Sequence, residues 1–313
     1  MIAAAVHRWF ENVCDESLPL WDIKLRRLLA IYEWFTREGL ADKNFDKELT
    51  NDASYRERLS ELLIAYKLMR AGYRLTSDGA GPDLWASKGS NGFWVEIITP
   101  RPMSIDPAYI EQVGASADGM LNVPSDQILR RWTAAIDAKA QKLRRYLDKG
   151  YVQSDQPFVI AVNGRSLRGD SNIGFNGVSM NPCAVEVLFG LGSLGLKSIA
   201  KGKITDVRIG RSHRSSVDSI NRASIPMTTF LDDANAQISG VWAMDIDENE
   251  VLLDPLWPGL KRGYFSCAGI FNPFAANPLA PGDLPTFEDW TCQVTEDSYQ
   301  LTHHNRIPFD GSS

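Results

Sequence analysis

The sequence predicts an α/β fold, with a mixed sheet in one domain, 51–313, and a helical N-terminal extension, 1–50. Three observations predict it. Leu28, Leu29, Ile31, Tyr32 and Phe35 recur at helical spacing, and Leu59, Leu62, Leu63, Tyr66 and Met69 repeat the pattern over about 53–71. The texture then switches to short apolar runs set off by turn residues, YRLTS, GAGPDLWAS and FWVEIIT. A long amphipathic stretch, about 125–147, is followed by FVIAVNG (158–164), which reads as a strand.

Each element has its own signal. Gly39 is placed to end the first long helix, and Gly72 the second, because glycine accepts the left-handed conformation at a helix C-terminus. The segment KGSNG between two strand-like runs predicts a hairpin. About two dozen residues from Pro100 to Pro124 carry no periodicity and read as a functional loop. In the last half, EVLFGL, VWAMDI and CAGIFN read as short strands among Pro- and Gly-rich loops. The segment 281–313 is acidic and reads as a loosely attached tail, one that could compete with nucleic acid for a basic groove.

Composition narrows the function classes. The 313 residues are 44% hydrophobic and 23% charged, which excludes wholesale disorder and allows a large core. A net charge of −6 argues against a protein that coats nucleic acid by charge alone, though a local basic groove stays compatible with it. Cys14, Cys183, Cys267 and Cys292 lie far apart with no CxxC pair, so reduced, buried thiols and a cytoplasmic location are expected. No run reaches the roughly 18 apolar residues of a membrane span. There is no GxSxG, HExxH, Walker loop or GxGxxG.

Three carboxylates carry the chemical signal. Glu61 lies beside the apolar strip of its helix. Asp83 opens the first hairpin strand, directly after Gly81-Pro82. Glu96 sits inside FWVEIIT, where alternation puts Trp94, Glu96 and Ile98 on one face. Unpaired carboxylates are seldom buried in strands, so Glu96 is the informative one. If the hairpin pairs as drawn, Asp83 and Glu96 converge, and the helix brings Glu61 near them. Such an all-oxygen cluster suits Mg²⁺ or Mn²⁺.

The span from Glu61 to Thr99, with acids 22 and 13 residues apart in the order helix Glu, GYRL, GPD, hairpin and acid-bearing strand, resembles the PD-(D/E)XK nuclease superfamily. The following helix and FVIAVNG strand continue the likeness. It implies a restriction-endonuclease-like αβββαβ core and divalent-metal-dependent hydrolysis of phosphodiester bonds, most simply as a DNA endonuclease of restriction or defence type. It also implies that Asp83 and Glu96 hold the metal and that Glu61 assists through water. Enzymes of this family often work as dimers, so a homodimer or a partner subunit of a defence system is implied with it.

One position departs from the family pattern. The lysine expected two residues after Glu96 is Ile98. In ILRRWTAAIDAKAQKLRRYL the apolar face is Ile128, Leu129, Trp132, Ile136 and Leu143, and Lys139 falls in its middle. A lysine facing inward needs a partner, and an acidic site supplies one. Lys139 is therefore expected to stand in for the missing lysine, with Lys142 and Arg131 as the next candidates. The bland alternative is that Lys139 snorkels to solvent.

A nucleic-acid partner, DNA above all, requires local positive charge. The segments 139–149 and 201–214 are basic, and Arg131, Lys142, Arg208, Arg211 and Arg214 are the candidate contacts. Such short runs are also the ordinary composition of solvated faces. A second reading, favoured by Ile98, is a catalytically inactive nuclease-like fold that binds nucleic acid or a partner protein.

Overall fold

In a computed structural model, the residues described are 3–17, 20–110, 123–168, 175–201, 204–218, 223–252, 267–296 and 298–305; of these, 196–201 and 204–209 are described as backbone alone. The helices are α1 (Ala4–Val13), α2 (Trp21–Arg37), α3 (Phe45–Leu49), α4 (Tyr55–Arg70), α5 (Pro107–Ile110), α6 (Ser125–Asp148) and α7 (Cys183–Phe189). The strands are β1 (Arg74–Thr76), β2 (Leu84–Lys88), β3 (Asn91–Ile98), β4 (Phe158–Asn163), β5 (Leu191–Lys201), β6 (Ile204–His213), β7 (Ser216–Asp218) and β8 (Ser224–Pro226). They continue with β9 (Gly240–Met244), β10 (Cys267–Phe271), β11 (Glu288–Val294) and β12 (Tyr299–Asn305).

Eight strands form one mixed sheet in the order β1-β2-β3-β4-β9-β10-β11-β12. β1, β2 and β3 pair antiparallel, β3, β4 and β9 run parallel, and β10 turns back against β9. β4 is buried at all six positions because helices cover both faces of the sheet there. Its alternation divides the core in two. Phe158, Ile160 and Val162 face α6 and α7, while Val159 and Ala161 face α1, α2, α3 and α4.

The first fifty residues belong to that second core. Phe10, Leu28, Phe35, Phe45 and Leu49 are buried with Leu62 and Leu63 of α4 and with β-strand residues. The helices end as their glycines require, with Gly39 at φ 72° and Gly72 at φ 86°. The hairpin forms with a tighter turn than KGSNG suggested. Lys88 pairs with Asn91, leaving Gly89 and Ser90 as a two-residue loop.

Three expectations are corrected. EVLFGL is no strand: Cys183–Phe189 is a helix entered from Pro182 and closed by Gly190 at φ 63°. All seven of its residues are buried, so no polar face existed to reveal a helical period. The segment from 281 is no loose tail. β11 and β12 complete the sheet, with Trp290 and Cys292 in the core. Two of its acids belong to β11: Glu288 pairs with His303 at 2.7 Å, and the buried Asp289 accepts from Thr286 Oγ1 at 2.6 Å. Within the Pro100–Pro124 stretch, α5 interrupts what read as featureless loop, and 111–122 lie outside the described residues.

Candidate functional site

The first two acids meet because of strand register. Leu84 pairs with Val95, so Asp83, one residue before β2, stands beside Glu96 of β3. β2 has not begun at Asp83, and its side chain takes the place a ladder carbonyl would fill: Ile97 N donates to Asp83 Oδ2 at 2.6 Å. Burial and the neighbouring charge of Glu96 raise the Asp83 carboxyl above the usual range, against the pull of Lys139 and Lys142.

Glu96 is fully buried and points toward α6. Ile128, Leu129, Trp132, Ile136 and Leu143 are buried as the apolar stripe requires, and Lys139 projects from the same side of the helix. Its Nζ lies 2.5 Å from Glu96 Oε1. Lys142 Nζ reaches the same oxygen at 2.6 Å, and Tyr146 Oη donates to Oε2 at 3.1 Å. Lys139, Lys142 and Tyr146 fall at i, i+3 and i+7, one above another on the helix. That spacing was the signal for Tyr146, which the reading of charges and motifs passed over because tyrosine carries no charge. Burial and Glu96 together push the Tyr146 hydroxyl's pKa upward, so it stays a donor.

Glu61 comes from the opposite helical layer. Its Oε2 accepts from Arg58 Nη1 at 2.7 Å, one turn earlier on α4. Arg58 also pairs with Asp42 at 3.0 Å and with Glu48, so Glu61 receives only part of one cation. Burial first, and then the charge of Asp83, push the Glu61 carboxyl up to about 8. Sequence reasoning anticipated an acid here and missed the Arg58 network that holds it.

The remaining expected residues serve other partners. Arg131 Nε donates to the carbonyl of Arg101 at 2.8 Å, and Arg101 pairs with Glu57 at 2.8 Å. Arg214 pairs with Asp126 at 2.9 Å, and Arg211 bonds the carbonyl of Ser179. The side chain of Arg208 lies outside the described residues. The four cysteines are buried. No helix among the described residues is long and apolar enough to cross a membrane.

Among the described residues, no group of three or more His, Cys, Asp or Glu side chains is disposed to hold a metal ion. The open oxygens are fewer. Asp83 Oδ1 and Glu61 Oε1 take no hydrogen bond from any described residue, whereas Glu96 accepts three. A carboxylate offers about four acceptor positions, so Glu96 retains about one. Mg²⁺ is commonly held by one or two carboxylates with water and phosphate oxygens, so this smaller donor set suits it. Comparisons with protein-family models, curated proteins and solved structures returned no match.

Proposed function

We propose that this chain is a divalent-metal-dependent phosphodiesterase with a restriction-endonuclease-like core, acting on nucleic acid and most simply on DNA. The observation that carries the reading is the lysine-to-acid contact, Lys139 Nζ at 2.5 Å from Glu96 Oε1, in a chain whose strand offers Ile98 where the lysine would stand. The order α4-β1-β2-β3-α6-β4, interrupted among the described residues only by the short α5, supports the fold assignment.

The carboxyl groups of Asp83 and Glu61 would hold Mg²⁺ or Mn²⁺, with the remaining acceptor position of Glu96 beside them. When bound, such an ion neutralises phosphate charge and acidifies a water. Burial first, and then a neighbouring carboxylate, raise the pKa values of Asp83 and Glu61, so a cation brought beside them would be favoured. Lys139 and Lys142 place two ammonium groups at one point, where they can stabilise negative charge developing on phosphate oxygens. Tyr146 fixes the Glu96 carboxylate that orients both lysines.

The test is cleavage of plasmid and single-stranded DNA with Mg²⁺ or Mn²⁺, comparing wild type with Asp83→Ala and Glu96→Ala. Metal-dependent cutting lost in both variants is the expected result. A second reading, an inactive nuclease-like fold that binds nucleic acid or a protein, draws on the cover that two lysines and a tyrosine give Glu96. It predicts no cutting and no rise in melting temperature on adding metal.

A further inference from the structure

Resting on that reading of the site, we infer that Tyr151 is a stacking platform for an unpaired base, and that the substrate strand is single-stranded where it crosses the acids. Among the described residues, the exposed large apolar side chains are Met103, Tyr151, Val178, Met180 and Leu194, and Tyr151, at 40% exposure, is the aromatic one. Its position is set from two sides. Tyr151 N donates to the carbonyl of Tyr146 at 2.9 Å, across the left-handed Gly150 that ends α6. A Cβ built on Gly81 would come 3.7 Å from Tyr151 Cβ, so the residue rests against the turn that delivers Asp83.

The ring thus neighbours a residue that touches one acid and the turn that leads to the other. Its centroid is 6.3 Å from that of Tyr146, whose hydroxyl bonds Glu96, and its Cβ packs beside Gly81, two residues before Asp83. Cations accompany both rings: Lys142 Nζ lies 5.3 Å from the Tyr146 centroid and Lys149 Nζ 6.0 Å from that of Tyr151. A part-exposed aromatic ring with a flexible ammonium over it suits a single strand, the lysine moving onto a phosphate as a base takes its place on the ring. Paired bases inside a duplex have both faces already stacked and present none to the ring.

Binding separates this inference from the hydrolytic reading. Fluorescence anisotropy of the full chain, with Ca²⁺ and without Mg²⁺ or Mn²⁺, is read against labelled oligothymidylate, oligouridylate and a hairpin duplex of about 12 nucleotides per strand. We expect the single strands to bind more tightly than the duplex. Tyr151→Ala should weaken single-strand binding by about tenfold or more, Tyr151→Trp should retain it, and duplex binding should not change. The two oligomers report whether DNA or RNA is preferred. Unaltered single-strand binding by Tyr151→Ala, preference for the duplex, or no binding to any of the three overturns the platform. Metal-dependent cleavage lost in Asp83→Ala would still uphold the hydrolytic reading in each of those cases.

Discussion

Lys139 Nζ and Glu96 Oε1 lie 2.5 Å apart although 43 residues separate them in the chain. The contact closes α6 onto a fully buried strand acid of the sheet, and Lys142 doubles it from one turn further along. Two cations on one carboxylate make each partly redundant.

That redundancy predicts a specific pattern of stability. Lys139→Met should cost only about 1 kcal/mol, because Lys142 and Tyr146 still satisfy Glu96. Changing both lysines should cost more than the two singles together, about 3–5 kcal/mol, since a buried charge is then left with a hydroxyl alone. Adding Glu96→Gln to the double variant should recover much of the loss. Urea denaturation of the set measures this, and simple additivity would contradict a shared role.

Asp83→Asn separates charge from structure. The amide oxygen can still accept from Ile97 N, so the end of β3 is kept. The repulsion that Asp83 exerts on Glu61 and shares with Glu96 disappears. We expect unchanged or higher melting temperature together with a loss of cleavage on the order of 100-fold or more. A fall in both would mean that the carboxylate charge is needed by the fold.

Glu61 predicts a pH dependence. Its carboxyl is raised from 4.5 to about 8 in the folded chain, so the fold holds a proton that the unfolded chain releases. The associated stability is present below pH 4.5 and is lost as pH rises toward about 8. Glu61→Gln should therefore flatten the decline in melting temperature across that window, with Arg58 still paired to Asp42 and Glu48. Adding Mg²⁺ near the upper end should restore wild-type stability and leave the variant less affected.

Deleting 281–313 should abolish cooperative folding. The deletion removes β11 and β12, takes Trp290 and Cys292 from the core and bares β10. A typical domain has only about 5–15 kcal/mol of stability to lose. A truncated chain that stays soluble with a sharp thermal transition would contradict the role of these strands.

Some of the structure was legible because local rules govern it. The periodicity of α2, α4 and α6 follows from one-sided burial, and the β2–β3 hairpin from turn chemistry and alternation. Lys139 was legible for the same reason, as a cation within an apolar stripe. EVLFGL misled because α7 is buried on every side, which erases the period that separates helix from strand. The last strands misled because exposed edge positions such as Gln300, Thr302 and His304 carry little apolar signal, and their place beside β10 is a long-range pairing.

By itself the sequence determined which segments are amphipathic, where helices stop at Gly39 and Gly72, and which strand conceals an acid, since each depends on residues within a few positions. Tertiary structure alone decided that Lys139, Lys142 and Tyr146 converge on Glu96 and that Arg58 holds Glu61 among rival acids. It also decided that Tyr151 rests against the Asp83 turn. Those relations depend on how α6 crosses β3 and how α4 packs on the opposite face. Burial of charge then makes each contact consequential, because a carboxylate withdrawn from water must find a cation, a proton or a donor.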